Sequence, residues 1–156
     1  MYEADDPRSR LATAGGGAGP ASAFGASTYA RFYEEAPREQ DSTQRTWYVR
    51  GQNFVVAYSD ARHGAMLERE AQPDEYVLLL PHAGLTAQIE TPGERVDVAG
   101  YSVTMIPPGR SRITISGSGP AIRLFSTQSD DLCRMASNPE KYAGPHPQVP
   151  PFEPWP

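Results

Sequence analysis

The chain has almost no cysteine: Cys133 is the single one in 156 residues, so an intrachain disulfide and a thiolate metal cluster are both excluded. Lysine is nearly absent too, since thirteen of the fourteen basic residues are arginine and Lys141 is the exception. Positive charge is gathered nowhere, and 19 acids against 14 bases give a net charge of −5, so no nucleic-acid partner is expected. No stretch approaches the eighteen or so consecutive apolar residues of a membrane-spanning helix. The opening MYEADDPRSR is acidic and polar where a secretory leader has a basic start and an apolar core. No membrane association is expected, and a reducing, cytoplasmic location is. The three histidines, His63, His82 and His146, never stand two or four apart as metal-ligand pairs do. No Gly-x-Ser-x-Gly elbow occurs, and Ser116-Gly117-Ser118-Gly119 reads as a loop between strands. Cys133 lacks a neighbouring His or a CxxC partner and reads as a packing residue.

What remains is 38% hydrophobic, enough for one domain with a core and too little for two. Residues 1–27 read as a flexible tail. Their Gly15-Gly16-Gly17 run follows no strand and lacks the Gly-Lys-Ser/Thr ending of a phosphate loop. Tyr29, Phe32 and Tyr33 then cluster at helical spacing before Pro37, which suggests one turn or an arm whose aromatic face lies on the body or on another subunit. Residues 28–136 form the expected domain. From 137 onward the chain reads as an extended arm, because six of the sixteen prolines fall in its last twelve residues, and Val149, Phe152 and Trp155 need a surface to cover them.

Short strand-like runs dominate residues 45–128. RTWYVRGQNFVVAYSDA gives two strand segments bent near Gly51. In AMLEREA, period-two alternation puts Met66, Glu68, Glu70 and Gln72 on one face, unusually polar if it points into a core. Glu75 to Leu80 is an apolar strand, and LTAQIE and RVDVAG flank a Thr91-Pro92-Gly93-Glu94 hairpin turn. Val103 to Ile106 runs into Pro107-Pro108-Gly109, where two missing ladder donors and a glycine force the sheet to stop and turn. A strand resumes at Ile113, which sets Arg110, Ser111 and Arg112 on a rigid corner. PAIRLFSTQS is a further strand, and 130–136 a short helix. Strands at this spacing with turn residues between them predict an all-β sandwich or barrel.

Two segments resemble the paired motifs of the cupin superfamily, small jelly rolls often described as a double-stranded β-helix. Gly64 followed by Glu70, Gln72 and Glu75 resembles the first motif, and Ile106-Pro107-Pro108-Gly109 followed by Arg112 and Ser116 resembles the second. Glu70 and Gln72 stand where that family has its first two histidine ligands, Arg112 where it has the third and Ser116 where it has an Asn. Glu75 matches the motif Glu one residue early, and the second motif's opening glycine is displaced to Gly100. The resemblance therefore implies a jelly-roll barrel without the usual ligands. An arginine, always protonated, would repel a divalent ion at that position. No metal and no cofactor is expected. Asn138, Tyr142, Ala143 and the terminal Glu153-Pro154-Trp155-Pro156 also resemble the connection between the halves of some bicupin proteins.

The candidate ligand-binding residues are Glu68, Glu70, Gln72, Glu75, Arg112 and Ser116, with no catalytic residue assigned. Three readings stay open. A Glu70–Arg112–Glu75 ion-pair cluster could fill the place of the lost metal; Arg112 could hold a small anionic ligand; or a Glu could act as base in a metal-independent isomerase, epimerase or lyase on a carboxylated or sugar-derived substrate. The expected partner is a second copy in a homodimer, or another cupin subunit.

Overall fold

The structure is a computed structural model and describes residues 28–140. The tail expected over 1–27 and the arm residues Val149, Phe152 and Trp155 lie outside the described residues. Ten strands follow in order: β1 (Glu39–Gln40), β2 (Gln44–Arg50), β3 (Phe54–Ala61), β4 (Met66–Gln72), β5 (Tyr76–Leu80), β6 (Thr86–Glu90), β7 (Arg95–Ala99), β8 (Ser102–Ile106), β9 (Gly109–Ser116) and β10 (Gly119–Ser126). One short helix, α1 (Asp130–Met135), comes after them.

The strands make a six-stranded sheet in the order β1-β2-β3-β10-β5-β8 and a four-stranded sheet in the order β4-β9-β6-β7. Every pairing is antiparallel. Non-consecutive neighbours such as β10 beside β5, or β9 beside β4, are the crossovers of a jelly roll, in which the chain passes repeatedly from one sheet to the other.

Alternation places the core. Val55 and Ala57 on β3, Leu78 and Leu80 on β5, Ile113 and Ile115 on β9 and Ala121 on β10 all point between the sheets and are fully buried. Each large aliphatic side chain removed from water here contributes about 1.5–3 kcal/mol. Two hydroxyl pairs lie in this core, Thr46 with Ser59 at 2.8 Å between the neighbouring strands β2 and β3 and Tyr76 with Ser111 at 2.9 Å from one sheet to the other, so the buried oxygens are satisfied.

Three local findings refine the sequence reading. The bend at Gly51 is a full hairpin, closed by the Gly51 amide donating to the Phe54 carbonyl at 2.9 Å. Only Phe32 of the aromatic arm docks, stacking on Tyr58 at 4.9 Å and tilting against Trp47 at 5.9 Å, while Tyr29 and Tyr33 are exposed. At the Pro-Pro-Gly corner, Gly109 takes φ +101°, and β9 begins there rather than at Ile113. Arg110, Ser111 and Arg112 are therefore strand residues whose facing is set by parity, not corner residues.

Candidate functional site

Parity decides where the predicted residues go. On β9 the inward positions are Ser111, Ile113 and Ile115, so Arg112 and Ser116 face outward. Arg112 Nε donates to Glu68 Oε1 at 2.6 Å, and Arg110 lies 3.4 Å from Glu70. Glu75 is exposed in the turn before β5. The expected Glu70–Arg112–Glu75 cluster is not formed, because Leu67 rather than Glu68 takes the inward place on β4. Register then shifts between Arg69 and Gln72, and this bulge turns Gln72 inward. Gln72 alone among the six candidates is buried.

The interior polar residues are different ones. The Arg69 side chain is 13% exposed; its Nε donates to Gln72 Oε1 at 2.8 Å, and its two terminal nitrogens hold Asp131 at 2.6 and 3.1 Å. This bidentate contact holds the Asp131 carboxyl below its usual range. Gln72 Nε2 donates onward to Asp74 at 3.0 Å and to the Ser129 hydroxyl at 2.8 Å, tying β4 to the start of α1. Tyr76, whose hydroxyl pKa is pushed up by burial, stacks on Phe125 at 4.7 Å. The Arg69 and Arg123 guanidinium carbons each lie 5.6 Å from the Phe125 ring centre.

A divalent cation does not fit this interior. Among the described residues no three of His, Cys, Asp and Glu converge on a point. The side chains gathered here include two guanidinium groups, which donate hydrogen bonds and cannot ligate.

Sequence reading missed Arg123. In PAIRLF the residues on both faces of β10 are apolar apart from this one arginine, so nothing local says which face is inward. The signal was the arginine itself, in the middle of an otherwise apolar strand. Arg123 is 3% exposed, its Nε has no hydrogen-bond partner, and it lines a cleft of about 260 Å³ with Arg69, Tyr48 and Glu39. Tyr48 donates to Glu39 Oε2 at 2.7 Å, and burial raises its hydroxyl pKa well above the ordinary value.

The two sheets differ sharply on their outer faces. On the four-stranded sheet Arg112 pairs with Glu68, Arg110 with Glu70 and Arg95 with Glu90, a charged and solvated surface. Ser116 sits on that face beside Thr86 and Thr114. On the six-stranded sheet the register aligns two unbroken apolar rows. One runs Val49, Val56, Leu124, Val77, Met105, and the other Trp47, Tyr58, Ile122, Leu79, Val103. Phe32 covers the Trp47 end, whereas Val103 is 59% and Met105 64% exposed at the other.

Two antiparallel sheets joined by crossovers around one core define a jelly-roll barrel. The barrel has the same fold as solved cupin structures. It is similar to KdgF from Halomonas sp. (TM-score 0.54, 12% identity, covering 67% of this chain and 98% of that one). An RmlC-like cupin from Shewanella frigidimarina aligns with TM-score 0.55 at 11% identity, covering 68% of this chain and 96% of that one. A cupin 2 conserved barrel domain protein from Salinispora arenicola aligns with TM-score 0.50 at 12% identity, over 65% and 89% of the two chains. No family model matches the sequence, and no curated protein does either. At these identities the likeness is one of fold.

Proposed function

We propose that the chain is a cupin-type binding and scaffolding domain that works as a homodimer, pairing through the outer face of its six-stranded sheet. The observation that carries this reading is the pair of apolar rows, five residues each, aligned by register across β2, β3, β10, β5 and β8. Solvated sheet faces alternate polar residues outward, as the four-stranded sheet does here, so an outward apolar face needs a cover. Five strands at about 4.8 Å spacing make that face roughly 20 Å wide, broad enough for a second sheet. A flat apolar face is also its own complement under a twofold axis.

The enzymatic alternative, a metal-independent isomerase, epimerase or lyase, asks for a base beside an anion clamp. Arg112 lines a cleft of about 310 Å³ with Glu90 and Arg110, and neither Glu70 nor Glu75 is in its lining. The geometry therefore supports binding over proton transfer at those residues.

Light scattering on the purified full chain tests the pairing. Wild type is expected at twice its 17.0 kDa mass. Met105→Glu and Val103→Glu, both at exposed positions that leave the core intact, are expected at the monomer mass. A wild-type monomer at high concentration would sink the reading, as would variants that remain dimeric.

A further inference from the structure

Charge matching inside the 260 Å³ cleft is incomplete. Three acids line it, and each already has a donor: Glu39 accepts from Tyr48, Glu68 from Arg112 and Asp131 from Arg69. Among the cations, Arg69 is matched by Asp131. Arg123 is not, since no carboxylate among the described residues lies within 4.0 Å of it. A charge with no carboxylate partner at 3% exposure is unfavourable, and the neighbouring Tyr48 hydroxyl and the Phe125 ring offset only part of that. A second polar atom of the same lining is also left over, because Gln44 Oε1 is buried without a partner while its Nε2 donates to the Met66 carbonyl at 3.2 Å.

We propose that this cleft, between β2, β4, β10 and α1, is a binding site for a small organic anion whose carboxylate or phosphate is held by Arg123. Arg69 stands at the same lining with two of its five N–H groups not engaged by Gln72 or Asp131, and supports the anion from the β4 side. Planar guanidinium donors match either oxyanion in a two-point contact, which lysine could not supply. The volume lies just below the usual range for ligand pockets, which suits a molecule of small-metabolite size rather than a nucleotide or polymer. The site is independent of the pairing face, which lies on the outside of the six-stranded sheet.

Calorimetric titration of the full chain with malate and with inorganic phosphate, against sodium chloride at equal ionic strength, tests this. One-site saturable binding of at least one anion is expected, with a rise in Tm that chloride does not give; which of the two binds identifies the head group. Arg123→Met is expected to weaken binding by roughly tenfold or more. Arg95→Ala, on the outer charged face and clear of the cleft lining, is expected to leave it unchanged. If Arg123→Met does not fold, Arg123→Lys keeps the charge without the two-point geometry and is expected to bind more weakly than wild type. The proposal is overturned if neither anion binds saturably, or if substituting Arg123 in a folded variant leaves binding unchanged.

Discussion

The side-chain amide of Asn138 pairs with the backbone of Arg50 in both directions. Arg50 N–H donates to Asn138 Oδ1 at 2.9 Å, and Asn138 Nδ2 donates back to the Arg50 carbonyl at 2.9 Å. The Ser137 amide adds a bond to the Tyr48 carbonyl at 2.8 Å, so the segment after α1 lies along β2 as a short strand substitute. Asn138→Ala leaves a partly buried donor and acceptor on Arg50 unpaired and is expected to cost about 1–3 kcal/mol. Urea unfolding should show a lower midpoint with an unchanged m value. An unchanged midpoint would mean that water replaces the amide without loss.

Tyr76 and Ser111 offer a cleaner measurement, because their hydroxyls meet in the core at 2.9 Å and both residues are buried. Tyr76→Phe strands the serine hydroxyl and Ser111→Ala strands the phenol, each costing about 1–3 kcal/mol. The double variant removes both oxygens together and is expected to be hardly worse than either single one, with a coupling of about 0.5–3 kcal/mol. Strict additivity of the two costs would show that the hydroxyls do not depend on each other.

The fold was legible in the sequence and the facing of the site residues was not, for one physical reason. Strand existence follows from local composition and turn chemistry, so Thr91-Pro92-Gly93-Glu94 and Pro107-Pro108-Gly109 mark real turns between β6 and β7 and between β8 and β9. Facing follows from parity, and a shift of one residue reverses it. Motif spacing pointed to Arg112, while the inward position is Ser111. On β4 the same error placed Glu68 and Glu70 with Gln72, because a bulge cannot be read from alternation alone. Arg123 lies on a strand that no motif covered.

Arg112 and Arg69 lie in different surroundings and should behave differently when truncated. Arg112 and Glu68 are both about two-fifths exposed, so Arg112→Ala is expected to leave the urea midpoint nearly unchanged, and still more so in high salt. Arg69, at 13% exposure, bonds Gln72 and Asp131 and packs on Phe125. Its truncation leaves Gln72 Oε1 without its donor and strips contacts from the aromatic ring, so Arg69→Ala is expected to lower the urea midpoint far more than Arg112→Ala. Equal effects would place the two arginines in equivalent surroundings, against the register of β4 and β9.

The Arg69–Asp131 contact also gives the acid limb of stability its sign. Asp131 is held below its ordinary value of 3.8 first by the Arg69 hydrogen bond, against a smaller opposing effect of burial. A carboxyl with a depressed folded pKa contributes stability that is fully present above the unfolded value and is lost as pH falls through the folded one. The urea midpoint is therefore expected to be flat in this contribution from about pH 7 to about pH 5, and to fall as the pH drops below about 4. Asp131→Asn cannot titrate, so its acid limb should be shallower than that of wild type. Some slope should survive from Asp41, which is also depressed, chiefly by its hydrogen bonds from Thr43. Superimposable acid limbs for Asp131→Asn and wild type would show that Asp131 gains nothing from Arg69 on folding, and that the link between β4 and α1 rests on Gln72 and Ser129 instead.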